Sequence, residues 1–260
     1  MNEHMHGKNY GYKDYDTPEI IAFIFYYDTE YRESTAERVL EILEKHEMFT
    51  PARMWLDHLT GGRMRKYTPD MRELFAKAYA DPDVQSLEWE NGMLKQTKEH
   101  IYFRWAVPFR KFNQQKESDD KIWNTIYFSM TYDWMKDLER QKHLMECVRE
   151  LSHEVGAIFT QIDDIANARM LRHRTGARGY SSKYIQQIYW GNYIGQHLLS
   201  DIRLKKLRKM NLPYYQETGD GVFFALTENA LDFDSKACKV QRRKIRRLVK
   251  KRILRRILQK

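Results

Sequence analysis

Residues 20–26 have the sequence IIAFIFY, a continuous apolar run of strand length. The charged residues Asp28 and Glu30 follow it closely and bound the run. A short apolar run that is rich in β-branched and aromatic residues is typical of a buried strand. We therefore predict a strand here. The run is too short to cross a bilayer, because that takes about 20 apolar residues.

Helical periodicity follows this strand and returns along the chain. Apolar residues at three- and four-residue spacing predict a helix over 33–46. Thr68-Pro69 marks the start of a second helix, because proline is favoured at the first helical position. An apolar stripe predicts a long helix over 134–153, and a charged helix is expected over 196–210.

Apolar segments between these helices predict further strands. They lie at 84–91, 100–107, 122–131 and 156–162, and Gly219-Asp220-Gly221 is typical of a hairpin turn. Together the elements predict an α+β fold with antiparallel or mixed sheets covered by helices. The element order also leaves open two degenerate strand–helix repeats of about 100 residues each. The predicted organisation is a polar arm (1–16), an N-terminal α+β half (17–115), a C-terminal α+β half (119–234) and a basic helical tail (236–260).

The charge of the chain is divided between an acidic body and a basic C-terminal segment. The sequence has 45 Lys and Arg against 36 Asp and Glu, a formal net charge of +9. Residues 236–260 hold 13 of the basic residues and no acid, so the rest has 32 basic residues and a formal charge of −4. We therefore treat the body and the basic tail as separate candidates for partner binding.

The N-terminus and the cysteines give no indication of secretion, of a disulfide framework or of a zinc site. Residues 1–16 lack the apolar core of a secretory signal, so we expect a protein that stays in the cytoplasm. Cys147 and Cys238 are too few for a disulfide framework and lack zinc-ligand spacing. We expect two structural or surface thiols, and no metal or cofactor. His4 and His6 lie in the polar arm, where we expect no stable metal site.

Catalytic signatures give little support for an enzyme. The sequence contains no nucleophile elbow, P-loop, dinucleotide fingerprint or HExxH zinc motif. Asp163-Asp164 follows a predicted strand, where a metal-dependent nuclease often carries acidic ligands. The simpler interpretation is a solvated helix start, with the acids next to the positive end of the helix dipole. We expect no catalytic residues, and a nuclease would require that Asp163→Ala abolish a metal-dependent activity.

Two basic loops are candidates for partner binding. The first follows Gly61-Gly62, and the second contains no acid. If the halves are repeats, both loops occupy comparable positions and together form one surface for a phosphate or an acidic partner. Ordinary solvated loops are the alternative. The residues concerned are Arg63, Arg65 and Lys66 in the first loop, and Arg169, Arg172, Arg174, Arg178 and Lys183 in the second.

The basic tail alternates basic and apolar pairs. Its apolar stripe drifts around a helix and gives no coiled-coil seam. Repulsion among its cations opposes helix formation in water, and an anionic surface would remove that repulsion. Nucleic acid, an anionic lipid surface and an acidic protein are open as partners, and so is the absence of any role. The candidate anion-binding residues are Arg242, Arg243, Lys244, Arg246, Arg247, Lys250, Lys251, Arg252, Arg255 and Arg256.

The most specific motif is Trp190-Gly191-Asn192-Tyr193-Ile194-Gly195, followed by a charged helix and the hairpin around Gly219-Asp220-Gly221. This order resembles the C-terminal part of bacterial immunity proteins of the type VI immunity family (immunity protein 52-like). Ile194 stands where the family usually has Phe, and Asp220-Gly221 stands where a Gly pair is common. The specific match covers 188–224. From the residues themselves, the two glycines permit either a turn with positive φ or a close backbone approach, and Asn192 can hydrogen-bond the local backbone. Trp190 and Tyr193 would fix the motif in the core, so we favour a structural role over direct contact with a toxin.

The resemblance implies a cytoplasmic, non-catalytic antidote that binds a cognate bacterial toxin and blocks it. It also implies a polymorphic toxin system or type VI secretion, with a nuclease as our narrower expectation for the toxin. The alternative is a nucleic-acid-associated protein that uses the basic tail. That alternative predicts salt-sensitive binding of DNA or RNA that is lost when 236–260 are deleted.

Overall fold

The computed structural model describes residues 20–27, 33–81, 84, 86–90, 101–106, 124–168, 185 and 187–250. The described strands are β1 Ile20–Tyr27, β2 Arg53–Trp55, β3 Arg65–Lys66, β4 Ser86–Glu90, β5 Ile101–Ala106, β6 Asn124–Thr131, β7 Phe159–Asp164, β8 Gly191–Gly195, β9 Gln216–Thr218 and β10 Gly221–Ala225. The described helices are α1 Glu33–Lys45, α2 Pro69–Ala80, α3 Tyr132–Met135, α4 Leu138–Glu154, α5 Gln196–Leu199, α6 Leu204–Arg208 and α7 Lys236–Arg246. Short 3-10 helices cover Glu47–Phe49, Asp57–Thr60 and Ala230–Asp232.

All of these strands join one antiparallel sheet with the order β3-β2-β4-β5-β6-β1-β7-β8-β10-β9. The apolar run at 20–26 forms β1, which pairs with β6 on one side and β7 on the other. The sequence prediction of an α+β fold with antiparallel sheets and several helices is confirmed. None of the described helices is long and apolar enough to span a membrane.

The two halves add their strands to this sheet in opposite directions. After α1 the chain goes to the outer strands β2 and β3 and returns inward through β4 and β5. After α4 it starts next to β1 with β7 and moves outward through β8 to the β9–β10 hairpin. The resemblance between the halves is therefore one of element order, and the strand topology differs between them.

Helices α1 and α4 cover one face of the sheet. Phe23 on β1 is in register with Ile162 on β7, and Phe25 with Thr160, so these four side chains share that face. Thr160 Oγ1 lies 2.9 Å from Ser152 Oγ of α4. Helix α1 packs against both α2 and α4, and the Arg38–Glu154 and Lys45–Glu150 ion pairs join α1 to α4.

The opposite face is covered at β7 by α7 and by the segment before β8. Asp163 and Phe159 of β7 face this side, because side chains alternate along a strand. Arg242 of α7 contacts Asp163, and the ring of Tyr189 lies 6.0 Å from that of Phe159 between centroids. Every residue of β7, β8 and β10 is therefore buried.

Two predicted helices are interrupted in the structure. The helix predicted over 134–153 is divided into α3 and α4, because the side chain of Asp137 accepts from the amides of Glu139 and Arg140 and starts a new helix. The helix predicted over 196–210 is divided into α5 and α6 around a β-bridge between Ile202 and Val249.

The strand predicted over 156–162 begins three residues later. Helix α4 ends in a Schellman turn, in which Gly156 has a φ of 59° and Ala157 N donates to Ser152 O at 2.8 Å. Strand β7 therefore starts at Phe159 and runs on through Asp163 and Asp164.

Candidate functional site

Asp163 and Asp164 lie at the end of β7 and are buried, with exposed fractions of 1% and 6%. Residues 165–168 are helical and Asn167 N donates to Asp164, so the two acids stand directly before a helix as predicted. The expectation that they are solvated is wrong. Both carboxylates contact Asn167, Asp163 through the side-chain amide and Asp164 through the backbone amide. Asp164 accepts from Tyr132 Oη at 2.8 Å and from Asn167 N at 2.7 Å.

The carboxylate of Asp163 accepts four hydrogen bonds. Its Oδ1 accepts from Asn167 Nδ2 at 2.7 Å and from Asp164 N at 2.9 Å. Its Oδ2 accepts from Trp190 N at 3.0 Å and from Arg242 Nη2 at 3.3 Å. We call Asp163, Asn167, Trp190 and Arg242 the Asp163 cluster. It joins β7, the start of β8 and α7.

Arg242 was a candidate for binding an external anion, and the structure instead places its side chain in the interior with an exposed fraction of 8%. Its Nε donates to Ile188 O at 2.9 Å, and its Nη2 also donates to Phe233 O at 3.3 Å. The reason is helical geometry: Arg242 belongs to the stripe of α7 that packs inward, together with Cys238 and Ile245. Residues 236–250 are thus packed against the body rather than extending from it.

Burial raises the pKa of Asp163 to about 7, and the guanidinium of Arg242 and the amide of Asn167 oppose that rise. The paired guanidinium and the backbone donors together compensate a buried charge, which costs several kcal/mol when it is unpaired. All four partners belong to the protein, so the cluster holds three segments together. In the described part of the chain, no group of three or more His, Cys, Asp or Glu is arranged to hold a metal ion.

Residues 191–195 of the motif form strand β8, so the turn is the wrong one of the two alternatives for its glycines. Asn192 folds back on the preceding segment, where its Oδ1 accepts from Tyr189 N at 2.9 Å and its Nδ2 donates to Tyr189 O at 3.0 Å. Trp190 Nε1 donates to Thr227 Oγ1 at 2.8 Å. Tyr193 is fully buried as well. These residues line the interior, where an external partner does not reach them.

The glycines of the motif permit close packing between strands. A Cβ at Gly195 would lie 2.3 Å from the carbonyl oxygen of Ala157, and one at Gly191 would lie 2.8 Å from Ile162 Cδ1. A Cβ at Gly221 on β10 would lie 2.3 Å from the ring of Tyr193. The sequence left a turn or a close backbone approach open for the motif's glycines, and the structure uses Gly191 and Gly195 for close approach.

Both cysteines are buried free thiols. Burial raises the pKa of Cys238 to about 11 and that of Cys147 well above its usual value, so both stay protonated at neutral pH. Buried thiols of this kind are inert and serve packing.

The first basic loop lies at one edge of the sheet. Arg63, Arg65 and Lys66 are exposed in and beside β3, and Arg65 Nε donates to Thr60 O at 3.2 Å. The second loop, with Arg169, Arg172, Arg174, Arg178 and Lys183, lies outside the described residues. The prediction that the two loops form one surface therefore stays a prediction.

A basic surface lies where α6 meets the end of α7, and the sequence predicted only its tail residues Arg243, Lys244, Arg247 and Lys250. The bridge between Ile202 and Val249, and the hydrogen bond from Arg203 N to Leu248 O at 3.0 Å, join the two segments. A signal was available, since residues 202–216 contain five basic residues and no acid. We call this region the α6–α7 surface, and its exposed basic residues are Arg203, Lys205, Lys206, Arg208, Lys209, Arg243, Lys244, Arg247 and Lys250.

The remaining predicted tail residues divide into two groups. Arg246 is half-buried at the end of α7. Lys251, Arg252, Arg255 and Arg256 lie outside the described residues, as does the predicted polar arm. Within the described residues, the basic tail therefore extends only to Lys250.

Comparison with known proteins gives a fold relationship. No protein-family model matches the chain, and no curated protein matches it. Among solved structures, the Pseudomonas aeruginosa T6SS protein PA0821 is similar, with a TM-score of 0.55 and 12% sequence identity. The match covers 87% of this chain and 73% of that chain. At this identity the likeness shows a shared fold.

Proposed function

We propose that this chain is an immunity protein that binds a cognate bacterial toxin and neutralises it by occlusion, without catalysis of its own. The observation that carries the proposal is the fold shared with a T6SS protein over 87% of this chain. In this proposal the protein acts in the cytoplasm of a cell that carries a type VI or related secretion system. A nuclease is the toxin class that we favour.

The resemblance of the motif at 190–195 supports the same proposal from a separate direction. Its residues pack in the buried centre of the sheet, between β7 and β10. A motif that determines close strand packing is expected to persist where a fold is retained and the surface diverges. The partner-binding residues are then expected on the surface, where immunity proteins for different toxins would differ.

The loop around Arg63 is a suitable place for such binding residues. Thr60 is buried, and its Oγ1 accepts from Leu56 N at 3.1 Å. Gly61 and Gly62 have φ values of 63° and 70° and form the turn itself. The backbone thus holds exposed Arg63 in a defined position, and preorganised side chains lose less entropy when they bind.

The test is co-expression of the full chain with the toxin domain encoded beside it, followed by purification of the complex. We expect the chain to restore growth and to form a tight one-to-one complex with the toxin domain. Failure of both growth rescue and complex formation would overturn the proposal. Rescue without a complex would overturn occlusion as the mechanism.

A pair of matched variants tests the role of the loop. Arg63→Gln with Lys66→Gln removes two charges from the loop, and Lys77→Gln with Lys142→Gln removes two charges from α2 and α4. We expect only the first pair to weaken the complex, since an Arg in a binding surface often contributes strongly to affinity. Equal affinities for both pairs would exclude this loop as the binding surface.

A further inference from the structure

We propose that the α6–α7 surface binds the phosphate backbone of nucleic acid, independently of toxin neutralisation. Seven of its exposed cations make no ion pair in the described part of the chain: Arg203, Lys205, Lys206, Lys209, Arg243, Lys244 and Arg247. Neither α6 nor α7 contains an acidic residue. The surface therefore carries uncompensated positive charge on an otherwise acidic body.

The packing of α7 fixes how these cations are presented. Cys238, Arg242, Ile245 and Val249 follow each other at three- and four-residue spacing and are all buried. The opposite face of α7 must then point outward, and it carries the exposed Arg243, Lys244 and Arg247. The Asp163 cluster holds this orientation from within. Cations that are already positioned lose little conformational freedom on binding a polyanion.

The second basic segment is attached to the first by backbone hydrogen bonds. Arg203 N donates to Leu248 O at 3.0 Å, and Lys250 N donates to Asp201 O at 2.8 Å. Lys205, Lys206 and Lys209 follow directly along α6 and its end. The cations thus come from two adjoining segments rather than one helix, and this matches a ligand with regularly repeated negative charges.

The packing favours nucleic acid over a lipid surface. A helix that binds a membrane surface inserts an apolar face among the lipids. The apolar face of α7 is already packed in the protein, and Val240 is the one large apolar side chain exposed on this helix. A phosphate backbone can be bound by exposed cations alone, so the buried apolar face of α7 does not prevent this binding.

The residue types favour nucleic acid over an acidic protein. Lysine is depleted in protein–protein interfaces, whereas protein–nucleic acid interfaces are much more positively charged. Four of the seven unpaired cations are lysines: Lys205, Lys206, Lys209 and Lys244. No base-reading element is needed, so the expected binding is independent of sequence.

The test measures binding of the full chain to a fluorescent DNA duplex of about 20 base pairs, at salt concentrations from about 50 to 200 mM. The test variant is Lys206→Gln with Lys244→Gln and Arg247→Gln. The control variant is Lys77→Gln with Lys136→Gln and Lys142→Gln, which removes the same net charge from exposed side chains on α2, between α3 and α4, and on α4. Matching far-ultraviolet spectra and melting temperatures would establish that both variants are folded.

We expect the test variant to lose about tenfold or more in affinity and to reduce the slope of log K against log salt by about 3, because each lost phosphate contact removes about one unit. The control variant should bind like the wild type. Equal binding by the two variants would overturn the proposal. The proposal would also be overturned if the full chain bound phosphatidylserine vesicles or a poly-glutamate peptide but did not bind the duplex. If the test variant loses duplex binding but still restores growth in the presence of the toxin, nucleic-acid binding is independent of the proposed immunity function.

Discussion

The two ends of the sheet bury their strands in different ways. Toward β2, buried and half-exposed residues alternate, and Met54 is buried between the half-exposed Arg53 and Trp55. Toward β7, β8 and β10, both faces are covered and every residue is buried, including Gln161 and Asn192. A strand that is covered on both sides must provide partners for its polar groups within the protein. The alternating region near β2 therefore depends on apolar packing, and the two-sided region of β7, β8 and β10 depends on hydrogen-bond geometry as well.

The largest test of this difference is Asp163→Ala. It leaves the guanidinium of Arg242 buried without its carboxylate, so we expect the free energy of unfolding to fall by about 3–5 kcal/mol. Urea unfolding of the variant and the wild type measures the loss. The control is Asp220→Ala, which breaks a half-exposed ion pair with His153 and should cost about 1 kcal/mol or less. Similar losses in the free energy of unfolding for both variants would show that the Asp163 cluster stabilises the fold no more than a half-exposed ion pair does.

The second test uses two glycines of the same region. Gly195→Ala would place a Cβ 2.3 Å from the carbonyl oxygen of Ala157, whereas Gly219→Ala has nothing within 4 Å. We expect Gly195→Ala to destabilise by about 1–3 kcal/mol or more, because backbone has to move. Gly219→Ala should stay within about 0.5 kcal/mol. Thermal unfolding distinguishes the two, and a tolerated alanine at 195 would contradict close strand packing as the reason for glycine.

This contrast also explains what could be predicted from the sequence. The helices α1 and α2 and the strand β1 follow from apolar periodicity, because each presents one apolar face or a short apolar run. The pairing of Asp163 with Arg242 joins residues 79 positions apart, and no local pattern connects them. In the sequence, Arg242 cannot be distinguished from the exposed basic residues around it. The sequence could not decide between a turn and a close approach for the glycines of β8, because close approach depends on the neighbouring strand.

The third test is the pH dependence of the two-sided region. The pKa of Asp163 is raised from 3.8 to about 7 in the folded state, so folding favours the protonated form. This group's contribution is therefore complete below about pH 4 and is lost as the pH rises toward 7. Relative to Asp163→Asn, the wild type should lose up to about 1.4 kcal/mol per pH unit in this window. Urea unfolding at several pH values measures the difference, and parallel pH profiles would show that Asp163 stays ionised throughout.

The smallest test compares equivalent helix caps in the two regions. Thr68 accepts from Met71 N at the start of α2, and Ser235 accepts from Cys238 N at the start of α7. Alanine at either position should cost about 1 kcal/mol, because one amide loses its partner. Hydrogen exchange measures which segments lose amide protection in each variant. If α7 is an integral part of the two-sided region, Ser235→Ala lowers the protection of β7 and β8 as much as that of α7. Faster exchange confined to α7 would instead mean that the helix opens alone, and the Asp163 cluster would then open with it.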